Sequence, residues 1–300
     1  MWIATYPEGI SYISHLNDGF TTYKPRNNKN GLSHRSVTSF YEENTGELWI
    51  GTDGGGLNLF DREKNEFISY QHDSSNPNSL AAQSVLTITK NNDNNLWIGM
   101  WGTGLDIFHP NNQSFIHYST SADGSMPNSN NIMSVFKDSY DNMWLGTNNG
   151  GINRYEKKSK QFFYYQPIDG NEHSFSSNFN WTIFEDSKQD LWFGTGNGLD
   201  KYDRELDQFI HYRFDINNPQ SLSNNTVLAI TEGIDGNLWI GTRGGGLNKF
   251  NRESEIFTNY NIEHGIPDNA IVGILSDNNG DLWLSTLNGL CRFKIHLNRC

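Results

Sequence analysis

The stretch Asp235-Gly236-Asn237-Leu238-Trp239-Ile240-Gly241-Thr242-Arg243-Gly244-Gly245-Gly246-Leu247-Asn248-Lys249-Phe250 reads as a polar turn, an apolar run, a glycine turn and a second run. Turn residues bounding short β-favouring runs mark two strands joined by a tight connection. The central phrase Leu-Trp-Ile-Gly-Thr also stands at Leu48 to Thr52, with close variants beginning at Leu96, Met143 and Leu191. Working outward, a Trp in this setting occurs at Trp2, Trp49, Trp97, Trp144, Trp192, Trp239 and Trp283, so successive spacings are 47, 48, 47, 48, 47 and 44 residues. A fixed period of this size signals a repeat architecture.

The unit around Trp97 shows the anatomy. Residues 84–89 read as a first strand, a polar turn at 91–95 leads to a second around Trp97, residues 105–108 form a third, and 115–118 a fourth. A Phe-x-x-Tyr signature marks the fourth strand six times, at Phe20, Phe67, Phe115, Phe162, Phe209 and Phe257. Four antiparallel strands per unit of this length is the arithmetic of a β-propeller blade. The expectation is therefore an all-β, seven-bladed propeller of four-stranded antiparallel blades, occupying 1–300 as a single propeller. The chain begins at a second strand and stops after a third, near Lys294, so the first and last blades are expected to be incomplete and the chain a piece of a longer protein.

Composition agrees. There are 40 Asn and 29 Gly against 6 Ala, which favours turns over helices and excludes a helical bundle. The net charge of −12, with no basic cluster beyond Lys157-Lys158, argues against nucleic acid as a partner. No apolar run is long enough to span a bilayer, no leader pattern follows Met1, and no direct membrane contact is expected of this segment. Cys291 and Cys300, the only cysteines, do not form a disulfide framework, and their role is open.

Position by position, the fourth residue from Ser84 and its equivalents is small (Ser39, Thr87, Ser134, Thr182, Ala229, Gly273) and the next is apolar. The repeated tryptophans are expected to fill the space between blade faces.

The Asp235 to Phe250 phrase, with the upstream Asn218-Pro219-Gln220-Ser221-Leu222-Ser223-Asn224-Asn225, resembles the two-component regulator propeller repeat. That resemblance covers all seven units. It implies the periplasmic sensor region of an inner-membrane hybrid histidine kinase that responds to an oligosaccharide. It further implies parent-chain partners: more propeller, a dimerising β-sandwich giving a homodimer, and kinase domains. The turn before Trp283 (Ser276-Asp277-Asn278-Asn279-Gly280-Asp281) also resembles the Asp-box of sialidase-like propellers, which stabilises a hairpin.

Alternating strands place the second-to-third turn on one face with the long connection to the next blade, and long loops on a rigid scaffold carry recognition. The first turn residue there varies: Tyr6, Asp53, Trp101, Asn148 and Arg243. Trp101 is the sharpest, as a sugar platform or as a cover for a neighbouring turn. Arg243 suits a carboxylate or sulfate clamp, or is a solvated turn residue. A second row, Arg35, Gln83, Asn130, Asn178 and Asn225, with Asn269, stands where the chain approaches each first strand, to line a mouth or to satisfy backbone. Asn180 replaces a Val or Ile, with Trp181 beside it; a polar residue in a core slot needs a partner or a cavity.

Catalytic constellations are poor. His117 and His211 share an outer-strand position that reads as surface, no His/Glu spacing suits a metal, and neither catalytic residues nor a cofactor is expected. The leading reading is a non-catalytic ligand-sensing propeller. The alternatives are a lyase or glycosidase, which needs convergent acids and bases, and a protein-interaction scaffold.

Overall fold

Every repeat folds as one antiparallel sheet whose strands follow chain order. The computed structural model describes residues 1–5, 9–13, 19–26, 31–120, 125–277 and 279–300. Five sheets have four strands, and the first (Trp2–Thr5, Gly9–Ile13, Phe20–Tyr23) and last (Ile271–Ser276, Leu282–Thr286, Gly289–Phe293) have three. These are the blades of an all-β, seven-bladed propeller. Among the described residues, the helical segments are two single 3-10 turns, Ile262–His264 and Ile295–Leu297.

Blade 3 comprises Val85–Lys90, Leu96–Met100, Leu105–His109 and Ser114–Tyr118. Its first strand starts one residue later than expected because Ser84 serves the adjoining turns. Near its start the register shifts between Val85 and Thr87, leaving Leu86 as a bulge; the same shift flanks Thr38, Trp181, Leu228 and Val272. Bulges bend a strand and increase its twist, which suits the crowded inner edge of a blade.

The Trp-x-Gly phrase has a steric cause. A Cβ on Gly99 would lie 2.5 Å from Thr87 Cγ2 and 2.7 Å from Ile132 Cγ2 of the next blade. Gly51, Gly194 and Gly241 meet Val85, Val227 and Ile271 in the same way. In blade 7 the phrase reads Ser285, and the residue paired with it is Gly273, so the small residue has moved to the opposite strand.

Two compact units divide the chain: Met1–Lys137 with Asp141–Leu145 and Arg154–Phe163, and Asp138–Tyr140 with Gly146–Asn153 and Tyr164–Cys300. In the first, Trp2, Trp49 and Trp97 meet Phe60, Phe108 and Tyr155 of the following blade at centroid distances of 6.1, 5.6 and 5.2 Å. In the second, Trp192–Phe250 and Trp239–Phe293 repeat the contact at 5.7 and 5.8 Å. Trp49, Trp97, Trp144, Trp192 and Trp239 are buried, as expected of core residues, and each contributes a large apolar area. Trp2 and Trp283 are only half-buried; an arginine covers each, Arg62 at 4.9 Å and Arg292 at 5.8 Å.

In blades 2 and 5 a turn acid six residues before the Trp takes its indole N–H, whereas blades 3 and 6 hold Asn91 and Gly233 there. Asp186 Oδ1 accepts from the Lys188 and Asp190 amides, and its Oδ2 accepts from Trp192 Nε1 at 2.9 Å. Glu43 takes Trp49 Nε1 at 3.2 Å. The Asp-box likeness noted at Asp277 thus extends to a shared hairpin device. Cys291 and Cys300 form a disulfide with Cα atoms 6.0 Å apart.

Candidate functional site

On the loop face the glycine turns dock onto the segment approaching the next first strand. Gly54 and Gly56 donate to the Gln83 carbonyl at 3.0 and 2.8 Å; Gly104 donates to Asn130, Gly151 to Asn178, Gly198 to Asn225 and Gly246 to Asn269. Several amide side chains of that row are engaged too. Asn130 Oδ1 accepts from Thr120 N at 2.9 Å, Asn225 Oδ1 from Phe214 N at 2.7 Å and Asn269 Oδ1 from Ile262 N at 3.1 Å. Gln83 Nε2 donates to the His72 carbonyl at 3.4 Å, and Asn178 Oδ1 accepts from Gln166 at 3.5 Å. This row therefore holds the connection in place, the backbone-satisfying alternative. Arg35, by contrast, is exposed.

The variable turn residues are more open. Asp53, Trp101 and Arg243 are exposed and Asn148 is half-buried; Tyr6 lies outside the described residues. Trp101, 48 % exposed, is not packed away beneath a turn. Ser84 brings two of them together: its hydroxyl donates to Asp53 Oδ1 at 2.6 Å, and its carbonyl accepts from Trp101 N at 3.3 Å. Asp53, Ser84 and Trp101 thus form a carboxylate-to-indole row on the first unit. In the second unit, Asn148 bridges to Phe179 and Arg243 N donates to the Thr226 carbonyl. Ser84 escaped the sequence reading because a serine before a strand carries no signal of its own.

Asn180 finds its partners in the backbone. It is 1 % exposed and its Nδ2 donates to the Thr182 and Gly194 carbonyls, both at 3.1 Å, on either side of the bulge. Trp181 is the bulged residue, half-buried, and among the described residues its Nε1 meets no acceptor.

A buried polar slot on the third strand was missed. Its signal is the phrase Gly-Leu-Asn/Asp at Asn58, Asp106, Asp200 and Asn248. Each side chain there accepts an amide from the connection: Ser33 N, Ala81 N, Ser176 N and Ser223 N, at 2.8–3.0 Å. His117 is exposed, as expected, while His211 is half-buried, and both rings are engaged with this slot. His117 Nδ1 lies 2.6 Å from Asp106 Oδ1 and its Nε2 is 3.0 Å from the Pro77 carbonyl. Two acceptors on one ring select the doubly protonated imidazolium. Burial pulls its pKa down, but the hydrogen bond and charge of Asp106 outweigh that and hold it above the ordinary 6.5. His211, 13 % exposed, pairs with Asp200 at 2.7 Å. It lines a cleft of about 550 Å³ formed by residues 167–176 with Phe209, Ile210 and Arg213. Among the described residues no group bonds its Nε2.

Fold and site define a class: a repeat propeller with exposed, blade-specific side chains on a face whose conserved-in-kind polar groups are committed to backbone. Residues 31–54, 126–149, 174–197, 221–244 and 265–288 match the model of the two component regulator propeller family. No curated protein sequence matches the chain. Among solved structures, the extracellular domain of a hybrid two component system from B. thetaiotaomicron is 28 % identical, with a TM-score of 0.62 over 97 % of this chain and 37 % of that one. A second such domain from B. thetaiotaomicron is 21 % identical, with a TM-score of 0.53 over 98 % and 45 %. The chain thus spans less than half the length of these two relatives. A streptogramin B lyase is 17 % identical, with a TM-score of 0.70 over 96 % and 87 %, a likeness of fold alone. Among the described residues no helix is long and apolar enough to cross a membrane.

Proposed function

We propose that this chain is a non-catalytic, ligand-sensing propeller from the periplasmic region of a membrane-bound hybrid two-component histidine kinase, reading an oligosaccharide on its loop face. The observation that carries the reading is Trp101: an indole 48 % exposed beside the Asp53–Ser84 pair, in a fold that buries five of its repeated tryptophans. Aromatic faces next to hydrogen-bonding groups suit sugar rings, and the rigid blades hold them in place. In the full-length parent, kinase domains and a homodimeric arrangement would pass the signal to a phosphorelay. The similarity to extracellular domains of hybrid two component systems supports this reading. Isothermal titration with a panel of plant and host oligosaccharides tests it. Saturable binding by one of them, lost in Trp101→Ala, is expected; a folded sample silent across the panel overturns it.

One observation favours an enzymatic reading, a lyase or glycosidase: the buried Asp200 orients His211 towards the 550 Å³ cleft, an arrangement suited to a general base. Turnover of any panel sugar that disappears in His211→Ala would establish that reading instead.

A further inference from the structure

Opposite the loop face, the seam between blades 3 and 4 lacks both of two carboxylates that certain other blades place at equivalent positions. In blade 5 the turn carboxylate of Asp186 takes the Trp192 indole N–H, and in blade 2 Glu43 takes that of Trp49. In blade 3 that turn position holds Asn91. Its Oδ1 accepts from the Asp93 and Asn95 amides, both at 3.0 Å, which fixes the orientation of the amide. The atom left in the place of Asp186 Oδ2 is therefore Nδ2, a donor. Among the described residues Trp97 Nε1, also a donor, is buried and meets no acceptor, and the same holds for Trp239 Nε1 in blade 6, where Gly233 offers no side chain. Two donors share a position built for a carboxylate oxygen, and a buried unpaired N–H is costly.

A second substitution in the same seam acts in the same direction. Where the third strand turns into the fourth, a left-handed residue receives tyrosine hydroxyls: Asp207 accepts from Tyr165 and Tyr202 at 2.8 and 2.5 Å, and Glu255 from Tyr212 at 2.7 Å. In blade 4 that left-handed position is Lys160, which accepts nothing. The phenols of Tyr118 and Tyr155 accordingly lack the carboxylate that Tyr165, Tyr202 and Tyr212 have; in blades 2 and 3 the same position is Asn65 and Gln113.

Between these groups lies a cleft of about 310 Å³, walled by Trp97, Tyr118, Tyr155, Ile107 and Met143, with Asn91 and Lys160 among its lining residues. Asp93 and Asp141 also line it, and Lys157 lies 2.8 and 3.6 Å from them. The geometry points to a binding site for a small organic carboxylate of about monosaccharide size. The ligand carboxylate supplies to Trp97, Asn91 and the tyrosines what Glu43, Asp186, Asp207 and Glu255 supply elsewhere in the chain, and its ring packs on the aromatic wall. Charge-assisted bonds from such donors are the strong ones. This site is separate from Trp101 and does not rest on the sugar-sensing reading.

Titration of the 300-residue chain with glucuronate and with benzoate, using glucose as the carboxylate-free control, tests the assignment. Saturable binding of at least one acid is expected, together with none of glucose. Asn91→Asp installs the missing carboxylate, so it should weaken the acid by about tenfold or more while the melting temperature holds or rises. Lys160→Glu, at an exposed position, should weaken it similarly and carries the test if Asn91→Asp melts lower. Trp101→Ala should bind the acid as the parent chain does. Absence of binding by both acids, equal binding of glucose, or unchanged affinity in both carboxylate variants overturns the proposal.

Discussion

Arg204 Nη1 meets Asp138 Oδ2 at 2.9 Å, tying the outer turn of blade 5 to the first turn of blade 4, while its Nη2 holds Glu185 at 2.6 Å. Asp138 has no exposed side-chain surface. Glu185 in turn accepts from the amide and hydroxyl of Ser139. One blade later Arg252 binds Asp186 and Glu232, and Glu232 accepts from Ser187. Neighbouring blades in the second unit are thus joined by a bidentate arginine that neutralises a buried carboxylate.

Removing that arginine leaves the carboxylate buried and unpaired. Arg252→Ala should destabilise the chain by about 3–5 kcal/mol, because breaking a buried pair strands a charge. Urea unfolding measures it, and a loss below about 1 kcal/mol would show that the clamp contributes little.

The His117–Asp106 pair makes stability depend on pH. The folded pKa of His117 lies above its ordinary 6.5, so its contribution is complete below that value and is lost as pH rises through the folded pKa. Urea unfolding of the parent chain and His117→Gln, between about pH 6 and about pH 9, should show their difference shrinking as pH rises. A pH-independent difference would exclude the imidazolium.

The Trp-x-Gly glycine is a packing requirement between blades. Gly99→Ala places a methyl 2.5 Å from Thr87 and 2.7 Å from Ile132, and should cost about 1–3 kcal/mol, the usual range for overpacking. The double variant Gly99→Ala with Thr87→Gly reproduces the arrangement of blade 7 and should recover part of the loss. Thermal melts of the three proteins decide it, and failure of the second change to help would place the clash on Ile132.

Two tryptophans should separate binding from stability. Trp144 is wholly buried, so Trp144→Ala should cost about 3–5 kcal/mol. Trp101→Ala should change stability by roughly 0.5 kcal/mol or less, yet weaken the oligosaccharide. A stability loss at Trp101 matching that at Trp144 would assign it to the core.

Blade number, strand order and the buried tryptophans were legible in the sequence because a blade is a local object. Its strands pair with their chain neighbours, and their turn residues and alternation lie within about fifty residues. The partners of individual polar groups were not legible. Asp53 meets Ser84 across 31 residues, Asp106 meets His117 across 11, and Asn180 satisfies the Gly194 carbonyl across 14. Alternation tells which side of a strand a side chain leaves from, but not which loop or neighbouring blade waits there. The pairing of His117 with Asp106 therefore went unread, Asn180 read as an anomaly, and Asn91 as an ordinary turn residue. Repetition of short-range pattern determined the propeller by itself. Packing of one blade against the next decided which polar groups were satisfied and which were left facing a cleft.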